Sequence, residues 1–204
     1  GTSTGTSTGT STSISTTDKN SNSNVWTLKF EENPASIRGI SLRAVDDDSN
    51  DYLWVTRHSF TQPSSLALVN AIDGPLGLTK AKILKSLPAM FDASNLIELQ
   101  YEVKSSDGTS IPYFIVHKKD IVYNSNTPTL LYGYGGFEIS MTPGYAAVVG
   151  KLWLERGGVY VVANIRGGGE FGPRWHQAAL KENRYLAYDD FISVEEDLII
   201  RKIT

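Results

Sequence analysis

The sequence predicts an α/β fold preceded by a smaller all-β unit, and three observations lead there. Residues 159–165, Val-Tyr-Val-Val-Ala-Asn-Ile, make a β-branched and almost continuously apolar run. Such a run is what a parallel strand covered on both faces requires. Thr129, Leu130, Leu131 and Tyr132 form a second short apolar strand, which enters the glycine-rich stretch Gly133-Tyr134-Gly135-Gly136-Phe137-Glu138. From residue 97 onward the patterns follow the order hairpin, strand, helix, strand, helix, which is that of an α/β domain.

Residues 1–24 are nearly all Ser, Thr, Gly and Asn, opening on repeats of Gly-Thr-Ser-Thr. A segment with so little apolar surface to bury does not offset its ordering entropy, so disorder is expected. Gly1-Thr2-Ser3-Thr4-Gly5 matches G-x-S-x-G, the turn that presents a nucleophilic serine. That turn needs a buried strand before the serine and a helix after it. Neither is present, and repeat composition accounts for the match.

From Val25 to about Lys85 the chain reads as short strands: Trp26–Phe30, Tyr52–Val55, and a set containing Leu66, Leu68 and Val69. Asp46-Asp47-Asp48-Ser49-Asn50-Asp51 between them lacks the glycine and distal glutamate of a calcium loop and reads as a solvated turn. Strands at this spacing fit part of an all-β unit such as a propeller blade.

In the second region Glu98–Val103 and Ile111–Val116 flank Ser106-Asp107-Gly108-Thr109, a strong hairpin turn. Tyr145–Arg156 has Val148, Val149, Leu152 and Trp153 at helical spacing, with Gly157-Gly158 placed to end the helix. Asp189 and Asp190 are expected to cap a last helix whose apolar face uses Phe191, Val194, Leu198 and Ile199.

Composition narrows the function. The 204 residues carry a net charge of −3, which gives no electrostatic reason to expect nucleic acid or an anionic membrane as partner. Cysteine is absent, which removes disulfides and thiolate chemistry and is compatible with a cytoplasmic, reducing compartment. The first residue is Gly1, so an incomplete N-terminus is expected.

The glycine loop after the strand at 129–132 is the most informative chemical feature. Glycine lets backbone approach a substrate carbonyl without interference from a Cβ, and the Tyr134 phenol is suited to donate to a developing oxyanion. Arg166-Gly167-Gly168-Gly169-Glu170-Phe171-Gly172 contains G-x-G-x-x-G after a strand. A dinucleotide cradle is the rival reading, but a glycine turn that fixes strand-to-helix geometry is the stronger one. His58 and His117 read as surface or strand-end residues, and His176 as a packing and hydrogen-bonding residue beside that turn.

Four blocks carry a resemblance: residues 105–119 (SSDGTSIPYFIVHKK), 132–143 (YGYGGFEISMTP), 163–180 (ANIRGGGEFGPRWHQAAL) and 188–191 (YDDF). In this order they closely resemble the prolyl oligopeptidase family of serine peptidases. The resemblance implies a partial α/β-hydrolase fold over 96–204, preceded at 25–95 by the last strands of a β-propeller. It implies cleavage of short proline-containing peptides by a Ser-Asp-His triad, with no metal or other cofactor. Tyr134 then matches the tyrosine that helps form the oxyanion hole, and Phe137 an apolar residue lining the substrate pocket. Arg166 and Glu170 match a charged turn on the active-site side, with a structural role first. The nucleophile is expected roughly ten residues beyond Thr204, and the Asp and His later still, so these residues alone are expected to be an inactive fragment. The alternative is a non-catalytic binding or regulatory protein that retains the hydrolase scaffold.

Overall fold

The computed structural model describes residues 15–16, 27–28, 39–46, 48–73, 77 and 81–204. The expected disorder of 1–24 lies outside the described residues apart from β1 (Ser15–Thr16), which pairs antiparallel with β2 (Thr27–Leu28). Of the strand expected at 26–30, only β2 is described.

Four strands then form an antiparallel meander: β3 (Gly39–Ala44), β4 (Tyr52–His58), β5 (Ser65–Asn70) and β6 (Lys82–Ser86). Side chains of a strand alternate between faces, so Val55, Ala67 and Val69 share a buried face while Leu66 and Leu68 stay half-buried on the other. Within the acidic segment Asp46 Oδ1 accepts from the Asp48 N–H, and Asn50 Oδ1 accepts from the Tyr52 N–H.

The second sheet has the order β7–β8–β10–β9, built from β7 (Leu96–Lys104), β8 (Ser110–Lys118), β9 (Thr129–Gly133) and β10 (Val159–Ala163). β7 and β8 are the expected hairpin, with Gly108 at φ 84 in its turn and the Thr109 N–H donating to Asp107 Oδ1. β10 runs antiparallel to β8 and parallel to β9, in a register that pairs Ala163 with Gly133. Both faces of this sheet are covered. Ile111, Tyr113, Ile115 and Val161 pack toward α3 (Tyr185–Ile200), and Phe114, Val116 and Val162 pack toward Leu154 on the other side.

Two helix expectations are corrected. The segment at 145–156 is a short α1 (Ala147–Val149) running into a π-helical turn, Gly150–Leu154. The wider turn leaves Val148 and Leu152 exposed and buries Leu154, so the expected apolar face is rotated. Close packing accompanies the widening: a Cβ on Gly150 would fall 2.2 Å from the Phe91 ring. Asp189 and Asp190 cap nothing, because α3 starts earlier, at Tyr185. Asp190 is fully buried in the middle of the helix, whereas Ile199 is exposed. A further short helix, α2 (Pro173–Gln177), opens on Pro173 after Gly172, where the sequence reads only as a turn.

The two sheets meet at the loop after β4. Phe60 inserts into the second sheet's core, with its ring 5.6 Å from Phe114 and 6.1 Å from Tyr160. Beside it, Glu98 Oε1 accepts from Ser59 Oγ at 2.7 Å and from the Thr61 N–H at 2.8 Å. No helix among the described residues is long and apolar enough to cross a membrane.

Candidate active site

In a parallel α/β sheet the ligand crevice lies outside the carboxyl ends of the strands. The loops leaving β9 and β10 emerge there side by side, because the two strands are parallel and in register. The first loop holds Tyr134 and Phe137, with ring centroids 6.5 Å apart and planes inclined by 30°. Both are open to solvent, Phe137 most of all at 83% exposure.

The loop adopts an unusual backbone. Gly135 has φ 55, and a Cβ there would strike Ile165 at 2.5 Å. Phe137 and Glu138 follow at φ 51 and 56, a left-handed region that costs a non-glycine residue about 1–3 kcal/mol. Contacts from the second loop, from α2 and from the residue before α3 hold it there. Arg184 donates to the Gly135 carbonyl, and the Met141 N–H donates to Glu170 Oε1 at 2.9 Å. His176 Nδ1 lies 2.6 Å from the Gly167 carbonyl and 3.1 Å from the Glu138 N–H.

The glycines of the second loop serve this contact. A Cβ on Gly167 would lie 2.2 Å from the Gly135 carbonyl oxygen, and one on Gly169 2.1 Å from that of Glu138. Backbone therefore packs on backbone, and loop 135–139 fills the space a pyrophosphate would need in the dinucleotide reading.

Arg166 lies beneath the loops, 4% exposed. Its Nε and Nη2 donate to Asp190, its Nη1 to Asp107 Oδ2, and its backbone N–H to Asp190 Oδ2. One guanidinium thus ties the hairpin turn, the end of β10 and α3 together. Its hydrogen bonds hold the Asp107 carboxyl far below the usual carboxylate range, and the bonds to Asp190 raise the guanidinium's own pKa.

Of the sequence-selected residues, Tyr134, Phe137 and Glu170 lie on the two adjoining loops, with Arg166 at the root of the second. His58 is half-buried at the end of β4. His117 ends β8 but is buried rather than on the surface, with Nδ1 on the Lys118 carbonyl and Nε2 accepting from the Tyr123 hydroxyl. Sequence reasoning missed the roles of Asn164, Arg184 and Asp107. The one available signal was a polar asparagine at the end of an otherwise apolar strand.

Comparisons with known proteins fit this geometry. Residues 148–204 match the model of the prolyl oligopeptidase family. The chain is 50% identical over 165 residues to an uncharacterized peptidase of Sinorhizobium fredii, covering 81% of this chain and 22% of that protein. The chain belongs to the prolyl oligopeptidase family. Other members agree: it is 38% identical over 177 residues to a prolyl endopeptidase of Elizabethkingia meningoseptica, covering 83% of this chain and 24% of that one. Among solved structures, a post-proline cleaving enzyme from Rickettsia typhi superposes with a TM-score of 0.72 at 33% identity, covering 95% of this chain and 26% of that one. The chain therefore spans 22%, 24% and 26% of these relatives' lengths.

Proposed function

We propose that this chain is the part of a prolyl oligopeptidase-type serine endopeptidase that supplies oxyanion stabilisation and one wall of the substrate pocket. Residues 25–95 form the last strands of a β-propeller, and 96–204 the first part of an α/β-hydrolase domain. The observation that carries this reading is the Tyr134–Phe137 loop, set at the carboxyl end of β9 against the loop that leaves β10. A serine supplied by residues outside this segment attacks the carbonyl of a short proline-containing peptide. As the carbonyl oxygen gains charge, the Tyr134 hydroxyl donates a hydrogen bond to it. Phe137 offers its exposed ring to the apolar face of the substrate's proline. Arg166 and Glu170 hold the two loops and touch no substrate.

The test uses the longer polypeptide that contains this segment. Loss of one oxyanion donor costs about 10²–10³ in kcat, so Tyr134→Phe lowers kcat by that factor with little change in KM. An unchanged kcat refutes the role given to Tyr134. Hydrolysis of a fluorogenic proline peptide by the 204 residues alone overturns the location of the nucleophile. A longer polypeptide that binds such peptides without cleaving them favours the binding-protein alternative.

A further inference from the structure

We propose that Asn164 is a positioning residue which, with Glu170, clamps the far end of the Tyr134 loop. The inference rests on the proposed oxyanion role of that loop and deepens it. Asn164 directly follows β10, is 4% exposed, and is fixed by its own N–H donating to the Pro112 carbonyl at 2.9 Å. Its Nδ2 donates to the Met141 carbonyl at 2.7 Å and to Glu170 Oε1 at 3.3 Å. Glu170 Oε1 also accepts from the Met141 N–H. The three residues close a ring in which both backbone groups of Met141 are bonded.

Two further observations give the ring a purpose beyond packing. The loop it closes holds Phe137 and Glu138 in left-handed backbone, which persists only where the surroundings over-determine it. In addition, Glu170 Oε2 is buried with no hydrogen-bond partner among the described residues. A carboxylate with one oxygen left bare and the other on Met141 sacrifices solvation to fix one backbone position, a bias found where geometry serves function. The chemistry selects asparagine, because an amide nitrogen has two protons to donate and both are used here. Aspartate would donate none and would set a second carboxylate beside Glu170.

Hydrogen exchange in the 204-residue chain tests the clamp directly. With N164D or Glu170→Ala, the amides of 136–142 exchange roughly tenfold faster or more, the factor expected from losing a buried hydrogen bond. Glu170→Gln keeps an oxygen acceptor for Met141 and exchanges at the parent rate. Asn164→Ala serves if N164D does not fold. Unchanged exchange at 136–142, or acceleration spread equally over β8 and β10, overturns the clamp. In the longer, active polypeptide N164D lowers kcat by as much as about a hundredfold, the loss that a 1 Å displacement of a catalytic group can cause, with KM little changed, and Glu170→Gln retains the parent kcat. Faster exchange with an unaltered kcat overturns the positioning role. A parent polypeptide without hydrolytic activity refutes the peptidase reading instead, and the exchange result still judges the clamp.

Discussion

Removing Asp190 is the sharpest test of what holds the site together. Its carboxylate is fully buried and accepts from three Arg166 donors: the backbone N–H, Nε and Nη2. The Arg166 side chain is 5% exposed. Asp190→Ala therefore leaves a buried guanidinium whose remaining ionic partner, Asp107, is 38% exposed and partly screened. Breaking a buried pair by removing one partner costs about 3–5 kcal/mol, against a total stability of about 5–15 kcal/mol. For a chain of this size that is a drop in Tm of roughly 6–20 °C. Urea unfolding followed by tryptophan fluorescence measures it, with Asp107→Ala as the control at about 0–1 kcal/mol because of its exposure. The double variant Arg166→Met/Asp190→Ala removes both charges and loses less than the sum of the single variants. A cost below about 1 kcal/mol for Asp190→Ala, or equal costs at 107 and 190, refutes the view that burial gives this pair its weight.

Phe60→Ala empties the contact between the two sheets and costs about 3–5 kcal/mol, read as a shift in urea midpoint. A cost below about 1 kcal/mol shows that the loop after β4 is not anchored by this ring. The Asp107 pair also predicts an acid response. Its folded carboxyl titrates below its unfolded value, so the stability it contributes is complete above about pH 4 and is lost as pH falls through the folded value. The stability difference between the parent and Asp107→Asn therefore narrows below about pH 4, and a difference that widens there contradicts the sign.

The local features were legible because short-range physics makes them. Strand-like runs on either side of Ser106-Asp107-Gly108-Thr109, which carried its own turn chemistry, marked β7 and β8, and a β-branched run marked β10. The Tyr134–Phe137 loop was equally visible, since glycine after an apolar strand is a signal contained in a few neighbouring residues. Other features depended on residues far apart in the chain. Asp190 reads as a helix cap until Arg166, 24 positions earlier, brings a guanidinium to it, and only then is a buried carboxylate in mid-helix tolerable. The π-helical turn at Gly150–Leu154 is packed against the Phe91 ring, which no helical periodicity encodes.

By itself the sequence determined the fold class, the strand-to-loop order and the family, all written in contiguous patterns and in blocks that run in one order. Tertiary structure alone decided how the two glycine loops lean on each other and which polar groups hold them. Those contacts join the loops that leave β9 and β10, whose meeting depends on the parallel register of the two strands, and register is a property of the assembled sheet.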